Sequence, residues 1–231
     1  MLMLTGPDGS YHRVERYATN GHVDGVIVAS MHGTDPLPGI LTRRGVPVVC
    51  GGRPGVPGDL PYVDMDNIGG AERAVRHLVE QGRRRIATIA GPQDMIAGID
   101  RLAGYRDVLR DSDRRSIVAV GDFTRESGAV AMRQLLADDP DLDAVFVAND
   151  LMALGALRTL GRAGRAVPGD VAVVGFDDIP AAAYAEPPLT TVRQPTVEMG
   201  RRLARMVLNP EDRTPVVLPT ELVVRESTRR S

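Results

Sequence analysis

The chain has 231 residues, 43% of them apolar and 25% charged, so it can bury a sizeable core and has the composition of an ordinary globular protein. A net charge of −2 and a pI of about 6.1 give no sign of a surface built to bind duplex nucleic acid. No apolar run reaches the roughly 18 residues of a membrane-spanning helix, and the first ten residues lack the length and charge of a signal peptide, so we expect a cytoplasmic protein.

Short apolar runs recur along the chain and predict β-strands. In chain order they cover residues 1–4, 24–29, 46–50, 86–90, 117–120, 144–148 and 171–175. Amphipathic helices are predicted between them. In 69–82 and 150–164 the apolar side chains repeat at three- and four-residue steps, as one buried helix face requires. Continuous apolar strands that alternate with helices predict an α/β fold with parallel sheets covered on both faces.

A segment rich in glycine and proline interrupts this alternation before residue 66 and indicates a boundary between two lobes. Late in the chain a further strand, a helix at 196–208 and two short apolar runs follow. We therefore predict a first lobe of residues 1–66 plus 195–218 and a second lobe of residues 67–194 plus 219–231.

Polar and aromatic side chains follow the predicted strands of the second lobe at the points where they end. Ligands bind beyond the carboxyl ends of the strands in an open doubly wound sheet, so these residues are candidates for a small-molecule pocket. From four successive strand ends and the helix after the first of them they are Asp94, Arg101, Asp122, Phe123, Asn149, Asp150, Phe176, Asp177 and Asp178.

Structural roles compete with ligand binding at several of these positions. Either Asn149 or Asp150 is well placed to cap the helix that follows, and Asp177 or Asp178 is placed to cap the turn before Ile179. Phe123 could equally belong to the core. The residue pattern alone leaves these alternatives open.

Other chemistries find less support in the sequence. The four histidines are scattered, and none has the spacing of a metal ligand beside a cysteine. The single cysteine, Cys50, lies in an apolar run and is expected to be a buried free thiol. No phosphate-binding loop, dinucleotide fingerprint or nucleophile elbow occurs. We therefore expect a binding protein without a cofactor, a metal or a catalytic site.

Longer motifs carry a resemblance to a known family. The stretch "VFVANDLMALGALRTLGRAGRAVPGDVAVVGFDDIPAAAYAEPPLTTVRQP" closely resembles the effector-binding core of LacI/GalR-type transcriptional regulators. The segments "VDGVIVAS", "GVPVVCGGRP", "RLAGYRDVL" and "LVVREST" extend the resemblance over nearly the whole chain. It implies two Rossmann-like lobes of the type I periplasmic-binding-protein-like kind, which dimerise and close on a small effector, commonly a sugar or a nucleobase.

The resemblance implies a ligand role for five residues. Arg101 matches an arginine that holds the polar edge of the effector, and Phe123 matches an aromatic residue that packs against a sugar or base face. Asn149 and Asp177 match residues that hydrogen-bond the ligand, and Gln194 matches a further polar contact in some members.

Three further candidates lie on loops of the same edge: Asp94, Met95 and Asp122. Met95 is apolar where some relatives are polar. Asp178 is expected to hold the turn that follows it. Gly52 stands where relatives often carry an aspartate, which places one sugar-hydroxyl contact in doubt.

The sequence also departs from the family pattern at its beginning. The family starts with a helix-turn-helix and a hinge, and neither matches here. The first strand and helix of the ligand domain also find no match, so the sequence predicts an open strand edge and an exposed apolar face in the first lobe.

Four hypotheses on function follow from the sequence. The leading one is the effector-binding and dimerisation part of a bacterial transcriptional regulator that responds to a metabolite, with operator DNA bound only through a region outside this chain. The alternatives are a solute-binding protein of a sugar transporter, an α/β enzyme that uses Asp177 and Asp94 as acid and base, and a truncated product that dimerises with a full-length partner.

Overall fold

The computed structural model describes residues 1–3, 11–55, 58–209 and 211–229. In chain order the elements are α1 (Tyr11–Thr19), β1 (Val26–Ala29), α2 (Leu37–Arg43), β2 (Val48–Gly51), β3 (Tyr62–Met65), α3 (Asn67–Glu80), β4 (Ile86–Ala90), α4 (Ile96–Asp111), β5 (Ile117–Val120), α5 (Arg125–Asp138), β6 (Ala144–Val147), α6 (Asp150–Arg162), β7 (Ala172–Asp177), α7 (Pro180–Ala183), β8 (Thr190–Arg193), α8 (Thr196–Leu208), β9 (Val216–Leu218) and β10 (Glu221–Val223). No helix among the described residues is long and apolar enough to cross a membrane.

The chain forms two compact units, and each contains one sheet. The first unit comprises Met1–Met65 and Pro195–Leu218, with strand order β1-β2-β3-β9. The second comprises Asp66–Gln194 and Pro219–Ser231, with strand order β10-β8-β7-β6-β4-β5. All strand pairs are parallel except β10 with β8. The predicted α/β fold with parallel sheets is therefore confirmed, with one antiparallel strand at an edge.

The central strands of the second unit are apolar on both faces because helices cover both sides of the sheet. In β6, Val145 and Val147 pack into one core cluster, whereas Ala144 and Phe146 point into the other. This alternation follows from the two-residue period of a strand. It explains why 86–90 could be predicted with the same bounds as β4, and the edge strand β5 also has its predicted bounds, 117–120.

The prediction of a strand at residues 1–4 was wrong for the residues that the structure describes. Met1–Met3 have no regular secondary structure, and Leu4 lies outside the described residues. In the described part of the chain β1 pairs with β2 alone. An apolar cavity of about 610 Å³ lies beside β1, and Met1, Met3, Val26 and Val28 contribute to its lining.

Two glycines of the second unit provide a paired test of helix packing. A Cβ on Gly104 of α4 would lie 2.4 Å from the Ile68 carbonyl oxygen of α3, whereas a Cβ on Gly161 of α6 would meet no atom within 4 Å. We expect Gly104→Ala to lower the free energy of unfolding by about 1–3 kcal/mol through overpacking. Gly161→Ala is expected to raise it by about 0.5–1 kcal/mol, because alanine stabilises a helix interior. Urea denaturation of both variants measures the difference, and equal effects of the two substitutions would contradict this packing.

Candidate functional site

The candidate site lies at the carboxyl edge of the sheet in the second unit. Four neighbouring parallel strands, β5, β4, β6 and β7, end at this edge and are followed by the loops that carry the predicted residues. The parallel order brings side chains from distant parts of the sequence together, as it does in other doubly wound sheets.

Arg101 lies at the centre of the site. It is only 5% exposed on α4, and its guanidinium stacks on the Phe176 ring at 3.7 Å from the ring centroid. Its Nε donates to Asn67 Oδ1 at 2.9 Å, and its Nη1 donates to the Ala148 carbonyl at 2.6 Å. These contacts fix the Arg101 side chain in one orientation. Its planar guanidinium therefore loses little conformational freedom when it donates hydrogen bonds to a ligand.

Asp177 ends β7 and faces this guanidinium. Its Oδ1 accepts from Arg101 Nη1 at 3.3 Å and from Gln194 Nε2 at 2.5 Å. Burial raises the pKa of Asp177 above its usual value, and the Arg101 charge and the Gln194 hydrogen bond oppose that effect. Arg101, Asp177 and Gln194 are thus brought into direct contact.

Phe123 and Asn149 form a second pair at the same edge. Phe123 adopts a φ of +69°, and its ring packs where a Cβ on Gly91 would stand. Asn149 Nδ2 donates to the Phe123 carbonyl at 3.1 Å. The Phe123 ring centroid lies 5.9 Å from the Arg101 guanidinium carbon, so this pair borders the Arg101 group.

Asn149 is also the cap of α6, which settles the choice of helix cap between Asn149 and Asp150. Its Oδ1 accepts from the Met152 backbone N–H at 2.9 Å. Asp150 is fully buried instead, and its carboxylate accepts from Thr191 Oγ1 at 2.6 Å and from the Ile179 N–H at 2.9 Å.

Asp178 points away from the Arg101 group into a separate ion-pair cluster. It accepts from Arg193 Nε at 2.7 Å and from Arg225 Nη2 at 2.6 Å. Burial raises the pKa of Asp178, but the hydrogen bonds from both arginines outweigh burial, so this pKa lies below its usual value.

The other three candidates lie in loops and at a helix end. Asp94 is exposed in the loop before α4, and Met95 directly precedes that helix, where its carbonyl accepts from the Ile99 N–H at 3.0 Å. Asp122 is exposed and accepts from the backbone N–H and Oγ1 of Thr124 at 2.9 and 2.6 Å. Hydrogen bonds from Ser127 and Thr124 lower the pKa of Asp122 to about 2.

The sequence named Phe176 among the residues at this edge without assigning it a ligand contact, and it did not single out Asn67. Asn67 is the first residue of α3 and orients Arg101 through Nε, and Phe176 supplies the face on which Arg101 stacks. Phe176 could be named from the sequence because it directly follows the predicted strand 171–175. Asn67 lies 34 positions from Arg101, and no local pattern links the two.

Comparison with known proteins shows which family the chain resembles. Residues 75–228 match the family described as periplasmic binding protein-like domain. The chain is 53% identical to the HTH-type transcriptional regulator CelR of Thermobifida fusca over 98% of its own length and 70% of that protein. It is 41% identical to the HTH-type transcriptional repressor CytR of Escherichia coli over 74% of its own length and 52% of that protein.

A solved structure described as a transcriptional regulator CelR-cellobiose complex superposes with a TM-score of 0.93 at 53% identity, and covers 98% of this chain and 72% of that one. The fold and the site at the carboxyl edge define a periplasmic-binding-protein-like ligand domain. The chain belongs to the LacI/GalR family of transcriptional regulators. It spans 70% of the CelR relative and about half of the CytR relative.

Proposed function

We propose that this chain is the effector-binding part of a bacterial transcriptional regulator and that its effector is a sugar. The observation that carries the proposal is the part-buried contact between Arg101, Asp177 and Gln194 at the edge where doubly wound sheets bind ligands. The 53% identical CelR structure, which is a complex with cellobiose, supports a sugar and makes cellobiose the first ligand to test.

The side chains of the site suit a sugar ring. The Asp177 carboxylate accepts hydrogen bonds from sugar hydroxyls, and Arg101 donates to hydroxyl oxygens. Phe123 offers an aromatic face to the apolar C–H face of the ring. Asn149 keeps a second Nδ2 hydrogen for the ligand when the first bonds the Phe123 carbonyl. The Gln194 side chain shifts when a sugar hydroxyl hydrogen-bonds to Asp177 in its place. The loops that carry Asp94, Met95 and Asp122 border the bound ring.

In this account the two units are the two lobes of the ligand domain. The chain forms a homodimer in the cytoplasm. The regulator contacts operator DNA through a region that lies outside this chain. Effector binding shifts the population of regulator states that differ in DNA affinity. The chain performs no catalysis and holds no metal or cofactor. Both named relatives are transcriptional regulators, which favours regulation over transport.

A thermal melting screen of the purified chain tests this function. The panel contains cellobiose, glucose, ribose, a nucleoside and a sugar phosphate. A ligand at a hundred times its dissociation constant stabilises the folded protein by about 2.7 kcal/mol, which raises the melting temperature by roughly 5–10 °C. We expect one sugar of the panel, with cellobiose first, to give such a shift.

Asp177→Asn is expected to lose most of that shift, because it removes the charge that strengthens the hydrogen bonds to the hydroxyls. Asp107→Ala serves as the control, since Asp107 lies on α4 and its carboxylate pairs with the exposed Arg110 at 2.9 Å. A shift of equal size in wild type and Asp177→Asn would place the ligand elsewhere. No shift with any sugar would overturn the proposed effector class.

A further inference from the structure

Two successive residues at the end of β7 have a backbone conformation that residues other than glycine rarely adopt. Asp177 has a φ of +116° and Asp178 a φ of +57°. Such conformations cost about 1–3 kcal/mol each and persist only where the surroundings hold them. The strained turn directs the Asp177 carboxylate toward Arg101 and the Asp178 carboxylate toward Arg193 and Arg225.

Asp150 lies beneath this turn. Its Oδ2 accepts from the backbone N–H of Ile179, the residue directly after the strained pair, and its Oδ1 accepts from Thr191 Oγ1 on β8. One fully buried carboxylate thus joins the turn after β7 to the neighbouring strand. Its contact with the turn is to the backbone, so it acts on the course of the chain rather than on a side chain.

Gly175 leaves the room that this carboxylate occupies. A Cβ on Gly175 would lie 2.2 Å from Asp150 Oδ1 and 3.0 Å from Leu189 Cδ2. A side chain at position 175 would displace the carboxylate from the turn. The glycine in "VVGFDD" therefore belongs to the same arrangement as Asp150.

We infer that Asp150 is a positioning residue of the effector site: it anchors the strained turn that presents Asp177 to the ligand, without touching the ligand itself. This inference rests on the proposed function in that it gives Asp177 a ligand role. It goes beyond that function because it makes the affinity for the effector depend on a buried residue that does not touch the ligand.

The test compares three substitutions in the purified 231-residue chain. Asp150→Ala removes both hydrogen bonds to the turn and to β8. Asp150→Asn keeps an oxygen for the Ile179 N–H and has nearly the same shape. Asp143→Ala is the matched control, since Asp143 accepts from the backbone N–H groups of Arg84 and Arg85 before β4, away from the carboxyl edge.

Titration calorimetry with cellobiose, or with the panel sugar that stabilises wild type, gives the first readout. We expect Asp150→Ala to weaken binding about tenfold or more, because the turn that presents Asp177 loses the contact from Ile179 to Asp150 and the link through Asp150 to β8. Asp150→Asn should restore most of the affinity, and Asp143→Ala should bind as wild type. Wild-type affinity in Asp150→Ala would overturn the inference, as would equal losses in Asp150→Ala and Asp143→Ala.

Hydrogen–deuterium exchange without ligand gives a second readout that does not depend on the effector. We expect faster exchange in the peptide that contains 177–183 in Asp150→Ala, normal exchange there in Asp143→Ala, and recovery in Asp150→Asn. Unchanged exchange of this peptide in Asp150→Ala would overturn the anchoring role. If wild type binds no sugar but the exchange result holds, the proposed function fails while the anchoring of the turn stands.

If Asp150→Ala does not fold, Thr191→Val provides a milder change. It removes the donor to Asp150 Oδ1, is close in shape, and leaves the Ile179 contact in place. We expect a weakening of a few fold in affinity and a local rise in exchange at the turn. Wild-type values for both measurements in Thr191→Val would count against Asp150 as an anchor.

Discussion

Arg101→Met is expected to weaken effector binding by at least about thirtyfold. The substitution keeps much of the side-chain volume but removes the donors for Asp177, for Asn67 and for the Ala148 carbonyl. Loss of one partner of a buried, hydrogen-bonded charge pair costs about 2–5 kcal/mol in binding, which corresponds to 30-fold to several-thousandfold in Kd. Titration calorimetry with the sugar that stabilises wild type measures the loss.

Arg106→Met is the control for this prediction. Arg106 lies on the same helix, α4, and is exposed, so its substitution removes a charge of the same kind from outside the site. We expect wild-type affinity in this variant. If Arg101→Met bound the sugar as tightly as Arg106→Met, Arg101 would have no part in the site.

Stability should depend on pH through Asp150. Burial, together with the charges of Asp177 and Asp178, raises the pKa of Asp150 from 3.8 to about 7, although hydrogen bonds from Thr191 and Ile179 oppose the rise. The folded protein thus retains a proton that the unfolded chain releases between pH 4 and 7. Across this range the free energy of unfolding falls as the pH rises, and the loss is complete above about pH 7.

Comparison of wild type with Asp150→Asn isolates this effect, because asparagine has nearly the same shape and does not titrate. Near pH 4 we expect nearly equal stabilities. At pH 8 we expect Asp150→Asn to be the more stable protein, by up to roughly 4 kcal/mol for a pKa rise of this size. Urea denaturation at each pH measures the difference. A difference that stays constant from pH 4 to 8 would show that the Asp150 pKa is not raised.

The central strands β4 and β6 could be predicted well from the sequence because all of their residues are buried. The run 86–90 is apolar apart from Thr88, and its burial in β4 is complete. β3 was missed because its four residues, Tyr62–Met65, follow a segment rich in glycine and proline and include Asp64. The run at 1–4 misled because an apolar run predicts a strand only where a partner strand completes its hydrogen bonds.

The meeting of the candidate residues could be predicted in the same way, since residues that follow parallel strands lie at one edge of the sheet. Asp177 and Arg101 are in contact there as the pattern indicated. What each neighbouring polar residue does could not be read from the pattern. Asn149 bonds both its own helix and the Phe123 carbonyl, while Asp150, one position on, is buried beneath another loop. Such roles depend on which backbone groups lack partners after folding.

The decisive experiment is a crystal structure of the chain with the sugar that gives the largest thermal shift. We expect sugar hydroxyls within about 3 Å of both the Asp177 carboxylate and the Arg101 guanidinium, with Phe123 against a face of the ring. A sugar bound elsewhere on the chain, with neither Arg101 nor Asp177 in contact with it, would contradict the account.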